Sequence, residues 1–270
     1  FGEKVSLHGW YTEHGLPELS ASFAPYKIDL HIRPAPGHCE FHYLHPLSVP
    51  TLRSTRNSKW NRSDVIKCET ALIFGSFEGM PTVVAHRLVI DPQNENLKAI
   101  FSERKLTAKQ IAVVGNQQEL TLNSRLSLVD NVSLVFELDQ NIKVIVAKRG
   151  IFGALVFNKG RRKPIRISPY KSDKVFKIGS GDIFSAVFSY LWARKSQRSE
   201  KSADYASRAV ACYVNDPYFN FTRAQISEAQ PISVRQETIQ IYLAAPFFTL
   251  ADTMMLAEGR RSLLGLGVKV

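Results

Sequence analysis

The sequence predicts an α/β fold built on a mainly parallel sheet covered on both faces, and three observations carry that expectation. "RLVIDPQ" (87–93), "QIAVVGN" (110–116) and "IKVIVAKRG" (142–150) are continuous apolar runs rich in β-branched residues. They lack the in–out alternation of strands with one face in water, so both faces must be covered. Segments of helix length lie between them, the alternation that produces a parallel sheet. Finally, "VFKIGSGDIFSAVFSYLW" (175–192) places Gly179-Ser180-Gly181-Asp182 directly before an apolar run too long for a surface loop.

Taken in order, "KVSLHGW" (4–10) alternates like a strand. From Ile28 to Leu47 short strands are broken by Pro34, Pro36, Gly37 and Pro46, which predicts a small β insert. "SVPTLRSTRNSKWNRSD" (48–64) is polar and irregular and reads as a loop or flap. "ALIFGSF" (71–77) and "RLVIDPQ" are expected as short buried strands, the second ended by Pro92. "LKAIFSERK" (97–105) suits a helix, "QIAVVGN" a strand ending at Asn116, and "DNVSLVFELDQ" (130–140) a helix. "IKVIVAKRG" is a strand ending at Gly150, and "GALVFNKGRRKPIRISPY" (153–170) a hairpin turning near Gly160. Two helices follow at about 182–194 and 202–214, the second carrying Ala203, Ala206, Ala209 and Ala211.

Composition narrows the class. The chain has 270 residues, 44% hydrophobic and 22% charged, which is globular rather than disordered composition. No apolar run is long enough to span a bilayer, and "FGEKVSLHGW" has no signal-peptide pattern. Cys39, Cys68 and Cys212 are scattered, which argues against a disulfide framework or zinc site and for a reducing, cytoplasmic setting. The net charge of +11 is distributed in small groups: Arg53/Arg56/Lys59/Arg62, Lys148/Arg149, Arg161/Arg162/Lys163 and Arg194/Lys195/Arg198. No nucleic-acid motif accompanies them, so a field that attracts phosphorylated small molecules is the expectation, with no nucleic-acid partner. His31, His38, His42 and His45 have spacings that need a helix to act as metal ligands, and the prolines among them argue against one.

The GSGD stretch carries the chemistry. Glycines around a small residue permit unusual backbone angles, and a helix start presents unpaired N–H groups that attract anions. Asp182 at that same point suggests a base acting on a negatively charged reactant; the bland alternative is an ordinary strand-to-helix turn with a dipole-compensating Asp. Asn116/Glu119 reads either as a ligand pair or as a capped helix start, and Lys148-Arg149-Gly150 either as a binding strand end or as a solvated one. In parallel sheets ligands sit past the carboxyl ends of the strands, where Asn116, Lys148 to Gly150 and GSGD all fall. Glu78 and Asp91 also end apolar strands, and spacing does not decide whether they face the site. The Walker-A, H-E-x-x-H and G-x-S-x-G motifs are absent.

"NQQE" (116–119), "VAKRGIFGALVF" (146–157) and "KIGSGDIFSAVFSYLW" (177–192) resemble, in order and spacing, the PfkB or ribokinase-like sugar and nucleoside kinases over about residues 1 to 220. The resemblance implies a ribokinase-like three-layer fold with a small β lid, spanning 1–230. It implies ATP and Mg²⁺, and transfer of a phosphate to a hydroxymethyl of a sugar or nucleoside. By the same resemblance Asp182 is the base and Gly179, Ser180 and Gly181 the anion hole. Asn116 and Glu119 organise phosphates and magnesium, and Lys148, Arg149, Gly150 and Gly153 lie along the nucleotide. Lys177 and Ile178 replace the family's usual Thr-Thr or Thr-Gly, and Lys177 is a candidate phosphate contact. "FGEKVSLHG" resembles the strand after the family's Gly-Gly-x-x-Asn segment, and that segment and its preceding strand are expected upstream.

A second resemblance begins at "IQIYLAAPFFTLADTMMLAEGRRSLLGLGVKV" (239–270), which looks like the opening β-α-β unit of a nucleoside 2-deoxyribosyltransferase. It implies that Ala244, Ala245, Pro246 and Phe247 line a nucleoside pocket of a domain starting at 238. Two apolar strands in one such unit leave bare faces, hidden by further residues after Val270 or by another copy in a homo-oligomer. Under this alternative, the kinase-like part is a nucleotide- or nucleoside-binding regulator of the second domain.

Overall fold

The computed structural model describes all residues except 1–2, 36–38, 45–50, 55–64, 76–80, 94–95, 104, 235–239 and 266–268. His38, His45, Glu78 and much of the expected flap, with Arg56, Lys59 and Arg62, therefore lie outside the described residues. The chain divides into two compact units, a small one made by the N-terminal strands and a large one that extends through Val270.

In the small unit, β1 (Ser6–Tyr11) pairs in parallel with β2 (Asp29–Pro34), and α1 (Leu16–Phe23) connects them. β3 (Cys39–His42) and β4 (Thr51–Ser54) form an antiparallel pair. The small β insert thus exists, but part of the segment expected as a loop is β4: Thr51 and Leu52 are compatible with a strand once β3 supplies a ladder. His31 and His42 stand on strands, where each ring nitrogen meets a carboxylate two residues away, Asp29 at 3.0 Å and Glu40 at 2.8 Å.

The large unit is organised by a six-stranded sheet, order β10-β9-β8-β7-β6-β5. Its strands are β5 (Val65–Phe74), β6 (Thr82–Asp91), β7 (Leu106–Asn116), β8 (Ile142–Lys148), β9 (Ala154–Asn158) and β10 (Ile165–Ile167). β6, β7 and β8 run parallel, with α2 (Leu97–Glu103) and α3 (Leu128–Glu137) as their connections. β9 and β10 are the expected hairpin and add antiparallel to β8. Along the central strands successive side chains point to opposite faces. Val89, Ala112, Val114, Val144 and Val146 meet Phe184, Val187, Phe188, Leu191 and Trp192 in one core. These come from α4 (Ser180–Ser189) and its π-helical continuation Tyr190–Arg194. The alternate residues Leu88, Ile90, Ile111, Val113 and Ile145 are fully buried on the other face, and α3 packs on β8. Both faces are covered, as the unbroken apolar runs require.

α5 (Ser199–Asn215) lies along α4, and its Ala203, Ala206 and Ala209 are essentially inaccessible, the small residues letting the two helices approach. The expectation of a buried strand at 71–77 needs correction. β5 is the edge of the sheet and only Ile73 along it is buried, because a strand with one neighbour leaves its other side open. In the tail, after the short α6 (Arg223–Glu228), α7 (Leu250–Gly265) forms as expected, opened by a reciprocal Thr249–Asp252 cap. Of the two flanking strands, residues 239 and 266–268 lie outside the described residues, and among the described ones Gln240 and Lys269 form a parallel bridge.

Candidate active site

Three adjacent parallel strands end at one edge of the sheet: β6 at Asp91, β7 at Asn116 and β8 at Lys148, with Asn116 and Lys148 in register. The chain then crosses to α4, whose start belongs to the same unit.

The GSGD turn is built around one glycine. Gly179 caps α4 with φ +76, and a Cβ there would strike the hydroxyl of Tyr213 on α5, which itself donates to the Ile178 carbonyl at 3.1 Å. Gly181 has no such requirement. It lies inside the helix, and an added Cβ would meet only Lys148 Nζ at 3.4 Å. The backbone freedom expected of both glycines therefore belongs to Gly179, while Gly181 keeps space clear beside an ammonium group. Ser180 folds back on Lys177: its N–H and its hydroxyl both donate to the Lys177 carbonyl, at 3.2 and 2.7 Å. Ile183 N donates to the Gly179 carbonyl at 3.0 Å. Between them the N–H groups of Gly181 and Asp182 lie in the first turn of α4, where the helix itself offers no acceptor.

Asp182 is solvent-accessible and accepts a hydrogen bond from Gln93 Nε2. The surrounding protein pushes its carboxyl above the usual carboxylate range, and the charge of Asp91 pushes in the same direction; Lys148 and the Gln93 hydrogen bond oppose them. Because the carboxylate is open to water, these influences on it are screened. Gln93 reaches Asp182 from a left-handed conformation, φ +45, immediately after Pro92. A non-glycine residue held there is an uncommon conformation that the surroundings must impose.

Asp91 is the least exposed charged group of the site, at 2%. Its Oδ2 accepts from Lys148 Nζ at 3.0 Å and from Ser185 Oγ on α4 at 2.5 Å. Its Oδ1 is buried without a partner among the described residues. Spacing in the sequence leaves Asp91 undecided and does not mark Gln93 or Ser185. The available signal was "IDPQ", an acid and an amide on either side of the proline that stops an apolar strand.

Asn116 and Glu119 bind each other. Asn116 N donates to Glu119 Oε2 at 2.6 Å, and Glu119 N donates to Asn116 Oδ1 at 2.9 Å. This is the reciprocal pattern of a capping box, so the capped-turn alternative describes their backbone role. An open hollow of about 390 Å³ beside Glu119 is lined by Asn96, Leu97, Lys98, Gln118, Glu119, Thr121 and Leu122, not by Asp182 or Lys148. Arg149, Gly150 and Gly153 make the tight return from β8 to β9. Gly150 has φ +54 and Gly153 φ +73, and a Cβ on Gly153 would collide with the Ile167 carbonyl. The Arg149 guanidinium lies over the Phe152 ring at 5.5 Å, and burial, then the nearby Arg166, lowers its pKa from the ordinary value. Ala244, Ala245, Pro246 and Phe247 are exposed, on the segment before α7. Among the described residues no three His, Cys, Asp or Glu side chains gather as a metal cluster.

No family model matches the chain, and no curated protein sequence matches it. Solved structures do. A nucleoside kinase of Burkholderia thailandensis, in complex with inosine, superposes with a TM-score of 0.56 at 16% identity, covering 83% of this chain and 80% of that one. Ribokinase of Arabidopsis thaliana, complexed with ribose and ATP, gives 0.52 at 14% identity, covering 84% and 79%. Ribokinase of Thermotoga maritima gives 0.52 at 15% identity, covering 82% and 78%. These likenesses establish a ribokinase-like α/β fold.

Proposed function

We propose that this chain is an ATP-dependent kinase that phosphorylates a hydroxymethyl group of a sugar or nucleoside. The observation that carries the reading is the start of α4, where first-turn N–H groups, the Lys148 ammonium and the Asp182 carboxylate converge. Phosphoryl transfer asks little of a protein beyond positioning and stabilising charge, and these groups supply both. The N–H groups of Gly181 and Asp182 donate to the oxygens of the moving phosphate. Asp182 takes the proton of the acceptor hydroxyl as its oxygen bonds to phosphorus and the bond to ADP breaks. Its raised pKa brings it closer to the range where a carboxylate is an effective base. Gln93, donating to Asp182, fixes the direction of the carboxylate.

Magnesium, when bound, neutralises the donor phosphates. Such an ion is held mainly by phosphates and water with one or two carboxylates, and the acids at this sheet edge fit that modest demand. Glu119, one oxygen of which is committed to Asn116 N, would act there through water.

The test is ATP turnover by the purified chain over a panel of sugars and nucleosides, with Asp182→Asn as control. The variant is expected to lose at least about two decades of turnover while folding and nucleotide affinity persist. Turnover equal to the parent removes Asp182 from its role, and a parent that is inactive on every acceptor overturns the kinase reading. A second reading, N-glycosidic transfer involving residues 238–270, draws on the parallel Gln240–Lys269 bridge around α7. Cleavage of deoxynucleosides by the same preparation would support it.

A further inference from the structure

Cations that are dispersed along the sequence come together in the fold, at the end of the sheet remote from Asp182. β8 runs from Ile142 to Lys148, about 20 Å at roughly 3.3 Å per residue, so its start lies far from the candidate active site. The hairpin between β9 and β10 turns beside that start. Lys159 N donates to the Lys143 carbonyl at 2.9 Å, and Lys143 Nζ and Lys159 Nζ both donate to the Gln140 carbonyl at 3.1 Å. Arg161, Arg162 and Lys163 follow in the turn, all exposed. α4 starts at the site and, through its π-helical continuation, carries the chain to the same far end. There α5 begins, tied to the hairpin by Ser199 Oγ, which donates to Asn158 Oδ1 at 2.7 Å. Its start brings the exposed Arg198 and Lys201 alongside.

Stability does not account for this crowding. Two ammonium groups that share one neutral carbonyl repel each other, and Lys201, in the first turn of α5, opposes the helix dipole. Glu200 is already engaged by Arg198 at 3.1 Å, and among the described residues Arg161, Arg162, Lys163 and Lys201 have no side-chain ion pair. Charges on an edge strand discourage pairing with a foreign strand, but these stand in the turn before β10 and on a helix. Nor does the cluster draw substrate to Asp182, because physiological salt screens charges beyond about 8 Å.

The chemistry of the surface selects among polyanions. No large apolar side chain is exposed from 130 to 174 or from 176 to 217. This end therefore offers neither an aromatic platform for unstacked bases nor a wedge for a bilayer. Binding by charge alone suits the backbone of a duplex, which carries one phosphate per about 1.7 Å and releases condensed counterions to lysine and arginine. Against what the separate sequence groups suggest, we propose that this end of the large unit docks the phosphate backbone of duplex nucleic acid, independently of base sequence.

The experiment measures fluorescence anisotropy of a labelled DNA duplex of about 20 base pairs, titrated with the full chain at several salt concentrations. The parent is expected to lose about 100-fold in affinity between about 50 and 200 mM salt, as about four phosphate contacts require. Arg161→Gln/Arg162→Gln should weaken binding at least about tenfold and lower the salt slope by about two. Lys171→Gln/Lys174→Gln removes the same charge at the other end, where Lys174 Nζ donates to the Asn215 carbonyl at the close of α5, and should change affinity less than about threefold. Thermal melting establishes that each variant is folded. Should the hairpin variant fail to fold, Lys201→Gln on α5 decides, with an expected fall of about one in the slope. A parent that does not bind the duplex, or binds it without salt dependence, overturns the proposal. So do equal losses for the two double variants, an unchanged slope in Lys201→Gln, or poly-glutamate or phosphatidylserine vesicles bound as tightly as the duplex at equal charge concentration.

Discussion

Replacing Gly179 by alanine separates the two glycines of the turn, which look equivalent in the sequence. At φ +76 an alanine pays about 1–2 kcal/mol for the left-handed conformation. Its Cβ also strikes the Tyr213 hydroxyl, so that ring must shift and its 3.1 Å hydrogen bond to the Ile178 carbonyl is lost, about 1 kcal/mol more. The sum is about 2–3 kcal/mol, or a fall in Tm of about 5–10 °C for a chain of this size. Gly181→Ala behaves oppositely. The position is helical, alanine gains about 1 kcal/mol of helix propensity over glycine, and the new methyl presses only on Lys148 Nζ. The assay is urea unfolding of both variants followed by circular dichroism, with Gly179→Ala repeated in a Tyr213→Leu background. There the collision disappears and the penalty should shrink to the conformational part. A Gly179→Ala protein as stable as its parent, or one whose penalty is unchanged by Tyr213→Leu, refutes this account of the turn.

Two further outcomes follow from the packing and the titrating groups. Tyr170 is buried and donates to Asp204 on α5, and burial first, then Asp204, pushes its pKa from 10.0 up to about 12. The fold thus favours the neutral phenol, and that contribution is whole below pH 10 and is lost as pH rises from about 10 towards 12. Unfolding midpoints measured across that window should fall less steeply in Tyr170→Phe than in the parent. Phe188→Ala empties the centre of the α4 core and should cost about 3–5 kcal/mol, read by denaturant unfolding; a cost below 1 kcal/mol would mean that the core collapses around the space.

How much of this was legible beforehand depended on how local the cause was. The central strands were readable because burial on both faces demands unbroken apolar runs, and β6, β7 and β8 carry them. The hairpin at Gly160 and the helices after GSGD were readable from turn chemistry and length. β5 misled for the same reason the others succeeded: "ALIF" is as apolar as a central strand, and only the sheet order reveals that it lies at the edge. At the site, the helix start and Asp182 could be located from glycine placement. The difference between Gly179 and Gly181 could not, since it is set by Tyr213 and Lys148, which arrive from other elements. Gln93 and Ser185 were hidden likewise, each ordinary in its own segment, while Asp91 could be marked only as an acid that ends an apolar strand. Asn116 and Glu119 had two readings in sequence, and their reciprocal hydrogen bonds show the local one at work in the backbone.

The network around Asp91 also has a consequence for how the chain reaches its folded state. Asp91 and Ser185 are 94 positions apart, Gln93 and Asp182 are 89 apart, and Asp91 and Lys148 are 57 apart. Contacts of such separation form only after the intervening loops have been closed, so they belong to the late part of the route. Until Lys148 and α4 arrive, water is the partner that the Asp91 carboxylate has at the end of β6. The carboxyl end of β6 is therefore completed only when both the cation and the serine that partner Asp91 are in place.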